Sequence, residues 1–326
     1  MLYRVRRPSS DLMSVSNEIL TSSANLAEVA LVHEPLTSSV ARSIRAFLIL
    51  AKPEITLMVM ISAGVASVMA SDSLRVMVLV HSVVGIGLLA AGAAVLNQYL
   101  ERELDGKMRR TARRPLPAGQ LSESQALIFG VSVSLTGMVY LLLLLNALTA
   151  LLGLLTLIFY LALYTPLKTK TSLGTFVGAF PGAAPVLMGW SATTNSLNLE
   201  AWTLYAILFL WQFPHFYAIG WLYREDYARA GMRMLPSLDE NDERTVFEHI
   251  LVSTQLLFVA SLLPAFTAHA GGLYFTSAMI FGICFYYFAY HAAQSRSKLA
   301  AKRLLHASVI YLPLLYLFMI LDKVIR

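Results

Sequence analysis

Apolar residues dominate the chain in nine long runs, at about residues 47–70, 75–98, 124–145, 147–164, 172–191, 201–222, 247–268, 272–293 and 304–321. Each run approaches twenty residues, enough for a helix to cross roughly 30 Å of hydrocarbon. The pattern predicts an all-α, polytopic membrane protein, a bundle of nine transmembrane helices joined by polar loops. Ahead of the first run, residues 1–45 are polar, Ser-rich and mixed in charge, without the apolar core of a cleaved secretory signal. They predict a disordered cytoplasmic tail and leave 46–326 as the intramembrane domain.

Composition agrees with the bilayer reading. Of 326 residues, 57% are hydrophobic and 13% charged, with a mean hydropathy of +0.64, too apolar for a soluble domain of this length. Charge adds an orientation. With the N-terminus inside, 22 of the 25 Lys and Arg residues fall on the inner side, and Arg75, Lys323 and Arg326 fall outside, as the positive-inside rule expects. An odd number of helices then puts the C-terminus outside. The net charge of +6 is thus a topology signal and gives no reason to invoke nucleic acid. Arg4, Arg6 and Arg7 would suit a transit peptide to the mitochondrial inner membrane, the alternative reading, but Asp11, Glu18, Glu28 and Glu34 make the segment more acidic than such peptides usually are, so a bacterial plasma membrane is the favoured expectation. The lone cysteine, Cys284, falls inside the eighth run and predicts a packed apolar thiol.

The polar residues that interrupt this pattern gather at one place. Residues 97–117, NQYLERELDGKMRRTARRPLP, set eleven charged or amide side chains against the inner end of the second run. Asn97, Glu101, Asp105 and Arg109 recur every fourth position, so a helix lays them along one ridge with about 6 Å of rise per step. Glu101 and Asp105 repel at this spacing, costing a bare helix roughly 0.2–0.5 kcal/mol. Asp105 also precedes Gly106, a helix-stop residue, where the macrodipole disfavours a carboxylate. Helix stability does not account for these acids. A hard divalent cation does, because Mg²⁺ takes oxygen ligands and shares its shell with substrate phosphates. Arg109, Arg110, Arg113 and Arg114 follow with charge and forked donors suited to phosphate oxygens, although a loop obeying the inside rule would also be basic.

Other segments fall on the same side. Lys52, Pro53 and Glu54 open the first helix, where an interfacial anchor explains them as well as a site does. Tyr164 and Lys168, one turn apart with Pro166 between them, end the fourth helix and suit a bound anion. The sixth run ends in WQFPHFYAIGWLYREDYARAG, where His215 and Asp226 stand eleven residues apart and share a face if the helix continues. Asp226 offers a second source of carboxylate, while Glu225 points elsewhere. His215 reads either as a core histidine with one hydrogen bond or as part of the site. Gly174, Gly178 and Gly182 predict close helix approach in the fifth helix, which Pro181 and Pro185 should kink.

KPEIT (52–56), NQYLERELDGKMRRTARRPLP, YTPLK (164–168), GAFPGAAPVLMGW (178–190), WQFPHF (211–216) and REDYARAG (224–231) together resemble the UbiA-type intramembrane prenyltransferase superfamily over about residues 46–320. WQFPHF with REDYARAG points to its haem branch. The resemblance implies a nine-helix bundle of UbiA type that moves a farnesyl group from farnesyl diphosphate to a vinyl group of haem B, with Mg²⁺ as cofactor and haem as substrate. It implies that Asn97, Glu101 and Asp105 bind Mg²⁺-diphosphate with Asp226 contributing from the second motif. Arg110, Arg114 and Lys168 would hold the diphosphate oxygens and His215 would lie near the porphyrin. Arg109, Arg113 and Tyr164 complete the candidate substrate contacts, and haem A synthase or oxidase assembly proteins are the implied partners. The match has departures. Glu101 stands where many members carry aspartate, and Leu222 and Ala230, four residues either side of Asp226, supply no second carboxylate for a second fully liganded ion. Two other classes stay open: the same chemistry on an aromatic quinone precursor, and a transporter that buries acids between kinked helices.

Overall fold

In the computed structural model of the chain, the described residues are 36–233, 240–267 and 270–326. They divide into a first unit ending at Ala46, of which the helical run from Leu36 is described, and a second unit, Phe47–Arg326. Most of the expected disordered tail, residues 1–35, lies outside the described residues, but helix α1 (Leu36–Leu50) already begins within it. The helices that follow are α2 (Pro53–Met69), α3 (Val76–Lys107), α4 (Glu123–Leu144), α5 (Ala147–Ile158), α6 (Gly174–Thr194), α7 (Leu199–Leu222), the short α8 (Arg224–Arg229), α9 (Glu240–Phe266), α10 (Gly272–Ser295) and α11 (Lys298–Ile325). A π-helical segment, Phe159–Tyr164, and a last turn, Thr165–Leu167, extend α5.

Helix starts follow local sequence. Ser122 and Gln125 form a reciprocal capping box at α4, and Asn146, Asn198 and Ser297 cap α5, α7 and α11 through their side chains, each satisfying amides that the first helical turn leaves without partners. Asn146 also donates to the Ser191 carbonyl of α6 at 2.8 Å. Tertiary contacts cap other ends. Asp322 of α11 accepts the Gly271 and Tyr274 amides at the start of α10, where the positive end of the helix dipole favours a carboxylate. Lys323 donates to the Val68 and Met69 carbonyls at the end of α2.

A helix stands at each of the nine predicted runs, but only six of the described helices are long and apolar enough to qualify as spans, or seven if the pair flanking Lys52 counts as one broken span. The count of nine is therefore not reproduced by length and composition. The physical reason lies in α6 and α7, where Gly, Pro, Gln and His replace aliphatic residues because these helices face protein. Every residue of α6 from Ala183 to Ala192 is buried.

Two apolar cores share α2 and α6. One draws Ala66, Val186, Trp190, Ile207, Ile250, Tyr274 and Leu315 from α2, α6, α7, α9, α10 and α11. The other joins Ala63, Ile86, Leu89, Leu141, Ala150 and Met188 of α2 to α6. In lipid, water release does not drive helices together, so close backbone approach and interhelical hydrogen bonds carry more of the stability. At Gly189 a Cβ would overlap the Ala63 carbonyl of α2, a backbone atom that cannot yield. The glycine spacing in α6 is used as expected at Gly178, which faces the Tyr164 ring, and at Gly182, which faces the Gln212 amide; Gly174 has only ordinary contacts. Cys284 corrects its expectation: it is exposed on α10, on the outward stretch with Ile283.

Candidate active site

The ridge predicted on α3 forms where expected. Asn97, Glu101 and Asp105 are buried to 1%, 5% and 1% exposure, although two carry full charges. The helix ends at Lys107 and Met108 turns to extended backbone, so Arg109 leaves the ridge and is exposed. Its four-residue spacing has no helix to act on.

Each ridge residue has a defined partner. Thr165 gives its hydroxyl proton to the Tyr160 carbonyl at 2.8 Å, so its oxygen accepts from the Asn97 amide nitrogen at 3.0 Å. That turns the Asn97 Oδ1 toward the acceptor role. Lys168 Nζ lies 2.6 Å from Glu101 Oε1 and 4.3 Å from the centre of the Tyr164 ring. Burial pushes the Lys168 ammonium down, but the Glu101 carboxylate outweighs it and holds the group above the ordinary lysine value. Arg114 reaches both Asp105 oxygens, at 2.7 and 2.6 Å, and Thr111 donates to the Asp105 carbonyl at 2.8 Å.

The second acidic segment arrives at the same mouth by a different route. The helix does not continue from His215 to Asp226. It breaks at Tyr223 and restarts as α8, so the shared face expected from their spacing is lost. Asp226 instead accepts the Arg110 backbone amide at 3.2 Å and the Arg229 side chain at 2.8 Å. Burial alone would raise its pKa, but the Arg110 amide and the Arg229 guanidinium hold the carboxyl below its usual range. Met108, Ala230 and Met232 form a small buried cluster with Leu104 and Tyr227, and the Arg233 amide donates to the Lys168 carbonyl at 2.6 Å. Main-chain bonds and this apolar plug thus tie together the segments after α3, after α5 and after α8.

The remaining candidates are placed less centrally. Arg110 is exposed, its guanidinium 4.9 Å from the Tyr223 ring centre and its Nη2 3.5 Å from the Tyr227 hydroxyl. Arg113 is exposed at the same loop. Glu225 pairs outward with Lys298 at 2.9 Å, as expected. His215 is bonded to Ser308 of α11 at 2.8 Å. Among the described residues no three acidic, histidine or cysteine side chains gather at metal-binding distance. Asp226 is therefore at the mouth but not clustered with Glu101 and Asp105. The donor set of the ridge, an amide oxygen and two carboxylates, has the hard character that Mg²⁺ takes.

Sequence reading missed several contributors. Lys52, left open between an interfacial anchor and a site residue, takes a left-handed backbone conformation (φ 47°) between α1 and α2, and its electrostatic neighbours are Arg114, Lys168, Glu101 and Asp105. A lysine directly before a proline at a helix mouth was the available signal. Thr165, which meets Asn97, and Tyr227, which meets Arg110, carried none, because only folding brings those pairs together, whereas Arg229 pairs with Asp226 at i,i+3 on the same short helix.

The profile of the UbiA prenyltransferase family matches residues 57–314. Among curated relatives, a protoheme IX farnesyltransferase of Solibacter usitatus is 44% identical, covering 86% of this chain and 99% of its own. That of Koribacter versatilis is 42% identical, covering 76% of this chain and 82% of its own. Solved structures share the fold at low identity. A digeranylgeranylglyceryl phosphate synthase superposes with a TM-score of 0.72 at 17% identity, over 87% of this chain and 99% of its own. A UbiA homologue from Archaeoglobus fulgidus bound to GPP and Mg²⁺ gives 0.62 at 12% identity, over 84% of this chain and 99% of its own.

Proposed function

This chain belongs to the UbiA prenyltransferase family, and on that premise we propose that it transfers the farnesyl group of farnesyl diphosphate to a vinyl group of protoheme IX (haem B), giving haem O and diphosphate. The observation that carries the reading is the convergence of Asn97, Glu101, Asp105, Lys168 and Arg114 with the Asp226 loop at one mouth of an apolar bundle. The names of its relatives at 44% and 42% identity support haem as the acceptor.

Asn97, Glu101 and Asp105 would hold Mg²⁺, with Asp226 joining from its loop. When bound, the ion neutralises the departing diphosphate as a Lewis acid. Lys168 and Arg114 lend their donors to the diphosphate oxygens, each positioned by a carboxylate until the substrate takes its place. Exposed Arg109, Arg110 and Arg113 draw the anion in from the inner aqueous phase. Tyr164 holds Lys168 by its ring face. In a water-poor cavity these contacts are strong and need no reorganisation at the moment of reaction. The farnesyl C1–O bond breaks, the vinyl π pair forms the new carbon–carbon bond, and water adds to the resulting cation with loss of a proton.

The chain would sit in a bacterial plasma membrane with its N-terminus cytoplasmic and its C-terminus outside. Incubating membranes with farnesyl diphosphate and either haem B or an aromatic acid tests the assignment, with diphosphate release and mass spectrometry of extracted haem as readouts. Farnesylated haem is the expected product. Prenylation of the aromatic acid alone would move the chain to the quinone branch, and no diphosphate release would remove the enzyme reading.

A further inference from the structure

Between α10 and α11 lies a groove that the proposed reaction does not use. Its walls are two helical stripes, Phe281, Phe285 and Phe288 on α10 and Ala307, Ile310 and Leu314 on α11, each at the three- and four-residue spacing that keeps side chains on one helix face. They bound a cavity of about 290 Å³. Cys284 and Ile310 at its rim are exposed, so the groove opens toward lipid. Tyr311 forms the floor, its ring stacked on Phe285 at 5.0 Å and its hydroxyl 2.7 Å from Ser261 of α9, which fixes the floor to the bundle. At the end away from the α10–α11 loop, Phe281 packs edge-on against Phe318 at 5.4 Å.

The other end of the groove is basic. Arg303 and His306 line it, close to the start of α11. That end lies on the same side of the bundle as the acidic mouth, since Lys298 pairs with Glu225 beside Asp226. With 28 residues, α11 is about 42 Å long against roughly 30 Å of hydrocarbon, so a centred helix puts Arg303 where head groups meet tails and His306 one turn deeper. Charge here is one-sided. Arg296, Lys298, Lys302 and Arg303 follow in close order, and no acidic residue occurs from His249 to Leu321. Among the described residues the side chains of Arg303 and His306 make no hydrogen bond or ion pair, although the forked guanidinium is suited to phosphate oxygens.

Two occupants could cover such a groove, a partner helix or a lipid. A helix is about 10–12 Å across with its side chains, whereas about 290 Å³ spread over the roughly 16 Å of rise from Arg303 to Leu314 admits a single flexible chain. In lipid, filling an apolar groove gains little from water release, so selection falls to the head group. Basic pockets between transmembrane helices recruit anionic ones.

We propose that the α10–α11 groove is a binding site for one anionic phospholipid, its phosphate held by Arg303 and His306 and one acyl chain laid between the two apolar stripes. The lipid clasps α10 to α11 at the end of the bundle that carries the mouth. The site is separate from the face of α11 that presents Ser308 to α7, roughly 120° round the helix, and it rests only on the chain spanning a membrane, not on which acceptor it prenylates.

The test uses the full chain in nanodiscs of phosphatidylcholine with a rising fraction of phosphatidylglycerol, read by native mass spectrometry for lipid retained on the protein. The wild type is expected to retain one phosphatidylglycerol at least tenfold more than phosphatidylcholine. Arg303→Gln should cut that retention about fivefold. Lys302→Gln makes the same charge change about 100° round the helix and should stay within about twofold of the wild type. Cys284→Trp fills the groove without altering charge and should lose the lipid as well. A second readout needs no variant: Cys284 is the only cysteine of the chain, and its alkylation by a lipid-soluble maleimide should slow at least threefold when phosphatidylglycerol replaces phosphatidylcholine. Equal losses in Arg303→Gln and Lys302→Gln would reduce the effect to general surface charge and overturn the site, as would wild-type retention in Arg303→Gln and Cys284→Trp. Protection of Cys284 in native membranes that vanishes in phosphatidylglycerol nanodiscs would assign the groove to a protein partner and overturn it too.

Discussion

Replacing Glu101 by Gln removes the negative member of a buried ion pair while keeping its shape. The Lys168 ammonium is 2.6 Å away, and the two side chains are 9% and 6% exposed. At an effective dielectric near 20 the attraction over 2.6 Å is about 6 kcal/mol. Withdrawing two ions from water costs several kcal/mol each, so the intact pair contributes little net stability. Removing one member is different, because the Lys168 charge stays buried without its counter-charge and with Lys52 and Arg114 among the neighbouring cations. Glu101→Gln should therefore destabilise by about 3–5 kcal/mol. Glu101→Gln with Lys168→Met removes both charges and should return to within about 1 kcal/mol of the wild type. Unfolding in mixed micelles with a rising fraction of denaturing detergent, followed by tryptophan fluorescence, measures each step of the cycle. A double variant destabilised as much as Glu101→Gln or more would refute the reasoning, since removing the stranded Lys168 charge would then relieve nothing.

Other outcomes follow from the same geometry. Asp105→Asn should reduce farnesyl transfer by about 100-fold or more while leaving the protein folded in the membrane; wild-type turnover would remove Asp105 from the site. Chelation of divalent ions should stop diphosphate release, and added Mg²⁺ should restore it. Asp226→Asn should lower turnover by roughly 10–100-fold, whereas Glu225→Gln, whose partner is the outward Lys298, should leave it unchanged, and equal effects would undo the distinction between these neighbours. Gly189→Ala places a Cβ against the Ala63 carbonyl and should cost about 1–3 kcal/mol in the same unfolding assay.

What the chain declares along its length is what short-range physics can encode. Apolar runs of helix-spanning length give the membrane and the helix positions, because the bilayer acts on each segment independently. A four-residue repeat of Asn97, Glu101 and Asp105 gives a ridge, because one helix fixes its own faces. The resemblance carried by these motifs also reached the right family. Arg109 fell out of the ridge only because the helix stopped two residues earlier, a boundary that the pattern could not place.

Partnerships across the bundle had no such local signature. Lys168 and Glu101 are 67 residues apart, and His215 and Ser308 are 93 apart. Nothing in their own neighbourhoods selects those pairs. The break at Tyr223 turned Asp226 away from the His215 face and toward the Arg110 amide, and the Met108, Ala230 and Met232 cluster fixed that docking. Sequence alone supplied the charges and the greasy walls; tertiary packing decided which carboxylate meets which cation, because a buried charge is tolerated only where the whole bundle brings its partner to it.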